Sequence, residues 1–159
     1  MEMFSGLKAR GDVQAVIEHL SGRVDVIEFP NTVLGDGRKA LAASLANKFI
    51  GTYPYYISRM VFGDGGTSNG SPKFISTDRM ALYCGTPVVS KPVVSTVDPN
   101  VASQIIITSI LTVNDANGYS LNEMALQMSN DQLYSMVTFP DLNKTNQMQI
   151  TWSWRLSFV

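Results

Sequence analysis

A chain of 159 residues with a formal net charge of −1, 16% charged residues and one cysteine excludes several classes at once. One domain is the natural size, there is no Lys/Arg run of the kind duplex binding needs, and Cys84 alone can form neither an intrachain disulfide nor a cysteine-built metal site. No stretch approaches the roughly 18 apolar residues of a membrane span and the N-terminus has no apolar h-region, so synthesis in the cytosol, with neither membrane nor nucleic acid as partner, is expected.

Residues 1–11 are punctuated by glycine and unpatterned. From Asp12 the apolar residues Val13, Val16, Ile17 and Leu20 fall at i, i+3, i+4 and i+7, with Asp12 placed to cap and Gly22 just past the end. This spacing predicts a short amphipathic helix within an arm of residues 1–22. Its apolar stripe must dock on the body or on another subunit, because so short a helix does not stand alone in water. The remainder, 23–159, reads as a single β-rich domain. Val24 to Phe29 is a strand closed by Pro30, with a phase slip between Val26 and Ile27 that suggests a bulge or two buried faces. Asp36 is placed to cap a helix over about 36–50 whose buried side is Leu41, Leu45 and Phe49 with Ala42 and Ala46, ended by Gly51.

After Tyr53 the patterns are those of β-structure. Tyr56 to Phe62 is a strand, 63–70 a polar Gly loop, 71–92 a Pro-containing series of short extended pieces, and Val93 to Val97 a short strand. Gln104 to Val113 is a nearly continuous β-branched run suited to a buried strand, and Asn114–Gly118 a turn. Tyr119–Met128 and Leu133–Phe139 form a hairpin, and Pro140–Asn146 leads into the last strand. That strand alternates strictly: Met148, Ile150, Trp152, Trp154, Leu156 and Phe158 share one face, and polar residues the other. Aromatics bury roughly 150–250 Å² each, so Ile150, Trp152, Trp154, Leu156 and Phe158 are the expected anchors of the core. The fold class that follows is mainly β: an antiparallel β-sandwich (jelly-roll-like) or partly open barrel, with one or two short helices in the N-terminal third.

No catalytic constellation is visible. His19 is the only histidine and no Gly-x-Ser-x-Gly elbow exists, so neither a triad nor a histidine metal site has its partners. The 63–70 loop lacks the Lys-Ser/Thr and following helix of a phosphate cradle and reads as a flexible or contact loop. Asp115-x-Asn117-Gly118 lacks the closing glutamate of a calcium loop, and Asp64 and Asp78 have no spacing that pairs them. Glu123, the one charge inside its strand, is expected to bond Arg155 or Lys144 across the sheet. No cofactor, no metal and no enzymatic activity are expected.

Gly63-Asp64-Gly65-Gly66, a Pro-containing connector and a long strand are followed by Leu121-Asn122-Glu123-Met124-Ala125-Leu126, then Asp131-Gln132-Leu133-Tyr134, Phe139-Pro140, Lys144 and the alternating end. Over about residues 55–158 this order resembles the N-terminal attachment domain of phage tail-collar fibre and related baseplate-associated proteins. Such domains carry a Gly-Asp-Gly turn, an Asn-Glu-x-Gly-Leu strand, a Gly-x-Leu hairpin and a lysine before the last strand. Ala125 stands in the place of the family glycine, Asp131-Gln132 in that of Asp-Gly, and the first 50 residues lie outside the likeness.

The resemblance implies a bacteriophage virion structural protein, assembled in the host cytoplasm: a tail fibre adaptor or baseplate component in contact with other virion proteins. With no shaft or tip after the domain, it implies a part that joins or decorates. A head decoration or cement protein, or the base of a head fibre, is the alternative inside the virion. A carbohydrate-binding β-sandwich using Tyr53, Tyr55, Tyr56, Tyr119 or Tyr134 is the alternative of another class. A homo-oligomer or a symmetric multi-copy assembly is expected, with Val13, Val16, Ile17, Leu20, Asp64, Gly65 and Gly66 as subunit contacts and free strand edges as further ones. Deleting residues 1–22 should then abolish assembly and leave a folded monomer.

Overall fold

The computed structural model describes residues 8–48 and 55–158. In chain order the elements are β1 (Ala9–His19), β2 (Val24–Pro30), β3 (Thr32–Val33), α1 (Gly35–Ala46), β4 (Ile57–Gly63), β5 (Thr67–Ser68), β6 (Ser71–Pro72), β7 (Val89–Pro92), β8 (Val94–Val97), β9 (Gln104–Leu111), β10 (Ser120–Met128), β11 (Leu133–Asn143) and β12 (Met148–Phe158). They build two five-stranded antiparallel sheets: sheet A in the order β2-β1-β12-β9-β8, and sheet B in the order β3-β11-β10-β4-β7. The hairpin β5-β6 is a third, two-stranded sheet. The architecture is a β-sandwich with no closed barrel, and α1 is the one helix among the described residues.

β12 is the centre of sheet A because of its alternation. Ile150, Trp152 and Trp154 are fully buried and Leu156 nearly so, while Phe158 is half-buried at the end. Trp152 packs against two rings of sheet B, Phe62 at 5.3 Å and Phe139 at 5.5 Å between centroids, and Phe29 of β2 stacks on Phe139 at 5.1 Å. These ring contacts join the sheets. A second cluster lies on the opposite face of sheet B, where Ile75 and Leu82 of the 73–85 connector cover Leu34, Val61, Ala125, Leu133 and Met136. β10 is therefore buried on both faces, which explains a strand whose residues 121–126 are all inaccessible.

The helix expected over 12–20 is instead β1. It pairs with β12 at all eleven positions and with β2 at seven. Its residues satisfy two periods at once, because Val13, Ala15 and Ile17 also alternate. Alternation wins since β12 and β2 both offer ladders, and a lone two-turn helix offers none. Val13 and Ile17 are 1% and 5% exposed and face the sandwich interior, so no exposed stripe exists there. Val16 is half-buried on the outer face, and Leu20 stands exposed in the β1–β2 turn. β2 keeps its alternation without a bulge.

α1 starts at Gly35 with Leu34 at its N-cap; Asp36 lies in the first turn, where its charge meets the helix dipole, and makes no side-chain cap. Its contact face is also not the expected one. Gly37 and Ala40 are buried, Leu41 is half-buried, Ala42 and Ala46 are exposed, and Leu45 points to solvent. A Cβ on Gly37 would strike the Tyr134 carbonyl, so this glycine lets the helix lie directly on β11. Asn47, in the left-handed conformation, ends the helix four residues before Gly51; Phe49 to Gly51, like Tyr53, lie outside the described residues. Among the described residues no helix is long and apolar enough to cross a membrane.

Tyr134, 4% exposed, tests this packing. Its hydroxyl is buried without a hydrogen-bond partner among the described residues, and burial pushes its pKa up to about 12 from 10.0. A raised folded-state pKa means that the unfolded chain releases its proton first. The stability tied to this group is whole below pH 10 and is lost as pH rises through 12, roughly 2–3 kcal/mol in all. Tyr134→Phe should be neutral or slightly stabilising at pH 7 and should lessen the loss between pH 10 and 12, as read by denaturant titration at both ends.

Candidate functional site

The strands place the motif residues at one end of sheet B. β4 ends at Gly63, paired with Glu123 of β10, and the chain turns there through Asp64-Gly65-Gly66 into β5. Glu123 is fully buried, and its carboxylate receives three backbone N–H groups: Gly65 at 3.0 Å and Cys84 at 2.9 Å on Oε1, and Tyr83 at 2.6 Å on Oε2. A carboxylate so placed is held by charge-assisted hydrogen bonds rather than by a cation. The expected pairing with Arg155 or Lys144 does not occur: Arg155 is exposed on sheet A, and Lys144 is engaged elsewhere. An isolated buried charge is costly, and the three donors are what make this one tolerable.

Asn122, 3% exposed, is the other half of the clamp. Its Oδ1 accepts Gly66 N–H at 2.6 Å, and its Nδ2 donates to Asp64 O, Thr67 Oγ1 and Asp141 Oδ1 at 3.2, 3.0 and 2.9 Å. The Asn122 amide, together with the Thr67 hydroxyl, holds the Asp141 carboxyl below its ordinary range. The glycines of this loop are required sterically. A Cβ on Gly63 would lie 2.5 Å from both Cys84 Sγ and Glu123 Oε1, and one on Gly65 2.5 Å from Cys84 N. So Gly63-Asp64-Gly65-Gly66 and Asn122-Glu123, some 55 residues apart in sequence, are one structural unit.

The unit also fixes the connector that follows. Tyr83 and Cys84, bound to Glu123, close a loop whose start is held by Lys73 N–H on Gly66 O at 2.8 Å and by Thr138 Oγ1 on Lys73 O at 2.7 Å. Two cations lie over the Tyr83 ring, Arg79 at 3.5 Å and Lys73 at 4.6 Å from its centroid, and its hydroxyl donates to Phe74 O. Phe74 and Met80 project from this loop, 86% and 71% exposed. Burial, followed by the neighbouring Glu123, pushes the Cys84 thiol up to about 11, so it stays protonated and unreactive at neutral pH.

Lys144, 1% exposed, staples a second loop. Its Nζ donates to Asn117 Oδ1 at 3.0 Å and Thr145 O at 2.8 Å; burial draws its pKa down, with nearby Asp115 opposing. Asp115 binds Lys91 at 2.9 Å and the Thr112 N–H and hydroxyl, which offset its desolvation and hold its carboxyl low. The turn that faintly matched a calcium loop thus spends its oxygens on protein donors. His19 bonds Asp25 at 2.9 Å and Arg23 at 3.0 Å, in an ordinary surface cluster. Among the described residues no group of three or more His, Cys, Asp or Glu is placed to hold a metal ion.

Of the residues expected at subunit contacts, Asp64 is exposed, Gly65 half-buried and Gly66 buried within the clamp, apart from Val13 and Ile17 in the core. Tyr56 and Tyr119 are exposed at opposite ends of β10, beside Ser129 and Lys144 respectively, and Tyr134 is buried. Tyr55, half-buried, lines one apolar pocket with Tyr56 and Tyr134, whereas Tyr119 stands apart from them. Phe74, Met80 and Tyr83 were not singled out in the sequence. Their only signal is large apolar or aromatic residues stranded among Pro, Ser, Thr and basic positions.

No curated protein and no solved structure matches the chain. The family model for the phage tail-collar fibre protein, N-terminal, matches residues 37–154. The match begins earlier than the expected 55, taking in most of α1, and it spans the clamp and both stapled loops. With well over half its length covered, the chain belongs to the phage tail-collar fibre protein family, through that family's N-terminal domain.

Proposed function

We propose that the chain is a fibre adaptor or baseplate component of a phage tail, assembled in the host cytoplasm and working through contacts with other virion proteins. One observation carries this reading. Glu123, in the stretch that bears the family likeness, spends its carboxylate on the backbone N–H groups of Gly65, Tyr83 and Cys84 and so holds the 73–84 loop in place with Phe74 and Met80 in solvent. A preordered loop bearing large exposed apolar side chains is a contact device, since little conformational entropy remains to be lost on docking. The clamp's carboxylate is already engaged by three backbone donors, which suits a structural part rather than an acid–base catalyst.

The test is location. Particles carrying the epitope-tagged full chain, labelled with antibody and imaged, should show label at the tail, at the junction where fibres join. Label on the capsid instead would overturn the proposal.

A further inference from the structure

The loop that presents Phe74 is anchored on both sides. Ile75 and Leu82 are buried in the cluster on the outer side of sheet B, Gly35 N–H donates to Thr77 O at 2.6 Å, and Arg79 donates twice to Ala81 O. Phe74 emerges just before these anchors and Met80 among them, next to Lys73 and Arg79 respectively. Neither cation has an ion-pair partner among the described residues; both rest on the Tyr83 ring. The result is an apolar knob with a positive collar.

The opposite outer face of the sandwich carries the complement. Pro30, Asp12, Arg155 and Ile106 lie in one row across β2, β1, β12 and β9, and Glu28 and Gln14 lie in the next. Between these rows is an open dish of about 450 Å³. Its apolar lining includes Pro30 and Ile106 beside Val13 and Phe29, and its carboxylates are Asp12 and Glu28, neither of them ion-paired among the described residues. Gln14 Nε2 orients Glu28 at 3.1 Å.

Strand edges are poor alternatives for self-contact. β2 has the inward-pointing Asp25 and ends in Pro30, β7 ends in Pro92, and β8 is four residues long between Pro92 and Pro99. Prolines, short length and inward charge are the devices that block edge pairing.

We propose that the knob of one copy docks in the dish of a second copy, Phe74 and Met80 against Pro30 and Ile106, Lys73 and Arg79 against Asp12 and Glu28. The proposal rests on the reading of the chain as an assembly part and names its partner. Knob and dish lie on different sheets, so the contact is heterologous and repeats from copy to copy, giving a ring where the rotation closes and a chain where it does not. Arg155 in the dish adds a cation that can face the incoming ring.

Sedimentation velocity and native mass spectrometry of the full chain over a concentration series test it. Wild type should self-associate, and Lys73→Glu, Glu28→Lys and Phe74→Ser should each weaken association about tenfold or more. A chain carrying both Lys73→Glu and Glu28→Lys should regain it, a recovery that misfolding does not produce. Thermal melts of each variant confirm the fold. A wild type that stays monomeric to its solubility limit, single reversals without effect, or a double reversal that fails to recover would overturn the proposal. So would a knob that binds only a different virion protein. Tail labelling is independent of all these outcomes, so the self-contact can fail while the tail assignment stands.

Discussion

Glu123→Gln is expected to destabilise the chain by about 2–4 kcal/mol, and Glu123→Ala by about 3–5. The carboxylate offers two acceptor oxygens to three backbone N–H groups, at Gly65, Tyr83 and Cys84. Glutamine has one oxygen. Whichever way its amide turns, an NH2 faces a backbone donor, and at least one N–H loses its partner. Alanine strands all three and opens a void beside Gly63. With an urea m-value of about 1–3 kcal/mol/M, the glutamine variant's midpoint should fall by roughly 1 M or more. Hydrogen exchange should locate the damage: amides 65, 83 and 84 accelerate strongly, while those of β12 follow only the global loss. A silent glutamine variant would mean that the clamp does not hold the loop.

This clamp also shows what sequence reading reaches and where it stops. Asn122-Glu123 and Gly63-Asp64-Gly65-Gly66 were each legible as motifs, but their union was not. Burial of Glu123 invites a search for a counter-cation, and Lys144 and Arg155 are the nearest candidates in strand order. Backbone N–H groups from a distant turn carry no sequence signature, so a carboxylate satisfied by amides looks like one awaiting a salt bridge. The same limit applied to Lys144, whose partners are a carbonyl and an amide oxygen.

The sheets were more legible than the helices. β12 has one period and no competing one, and its six even positions point the same way. β10 could be placed but not its two-sided burial, because that depends on where the 73–85 connector lies. β11 runs on through Pro140, tolerated near the register shift between Leu121 and Glu123, where the expected boundary was Phe139. α1 was found, but its face was misjudged. Leucine spacing marks the apolar side of a helix, whereas here the close approach of Gly37 to the Tyr134 carbonyl selects the contact, leaving Leu45 outside.

The segment up to residue 22 decides between helix and strand in solution. If Val13, Val16 and Ile17 formed one helical stripe, a charge at Val13 or at Val16 would cost about the same. In the strand they lie on opposite faces of sheet A: Val13 is 1% exposed and paired with Trp154, and Val16 stands half-buried on the outer side between Val26 and Thr151. Val13→Asp buries an unpaired carboxylate and should cost more than about 4 kcal/mol; Val16→Asp should cost about 1. Tryptophan fluorescence during urea unfolding reports both. Deleting the segment goes further than either. It removes Val13, Ala15 and Ile17 from the core, cuts β2 from its sheet, and bares the edge of β12 along its whole length. The buried Val and Ile alone are worth roughly 1.5–3 kcal/mol each, against a total stability of about 5–15. The truncated chain should therefore show no cooperative transition at all, where an arm reading requires an intact, folded monomer. A sharp unfolding curve from the truncated chain would remove β1 from the core of the sandwich.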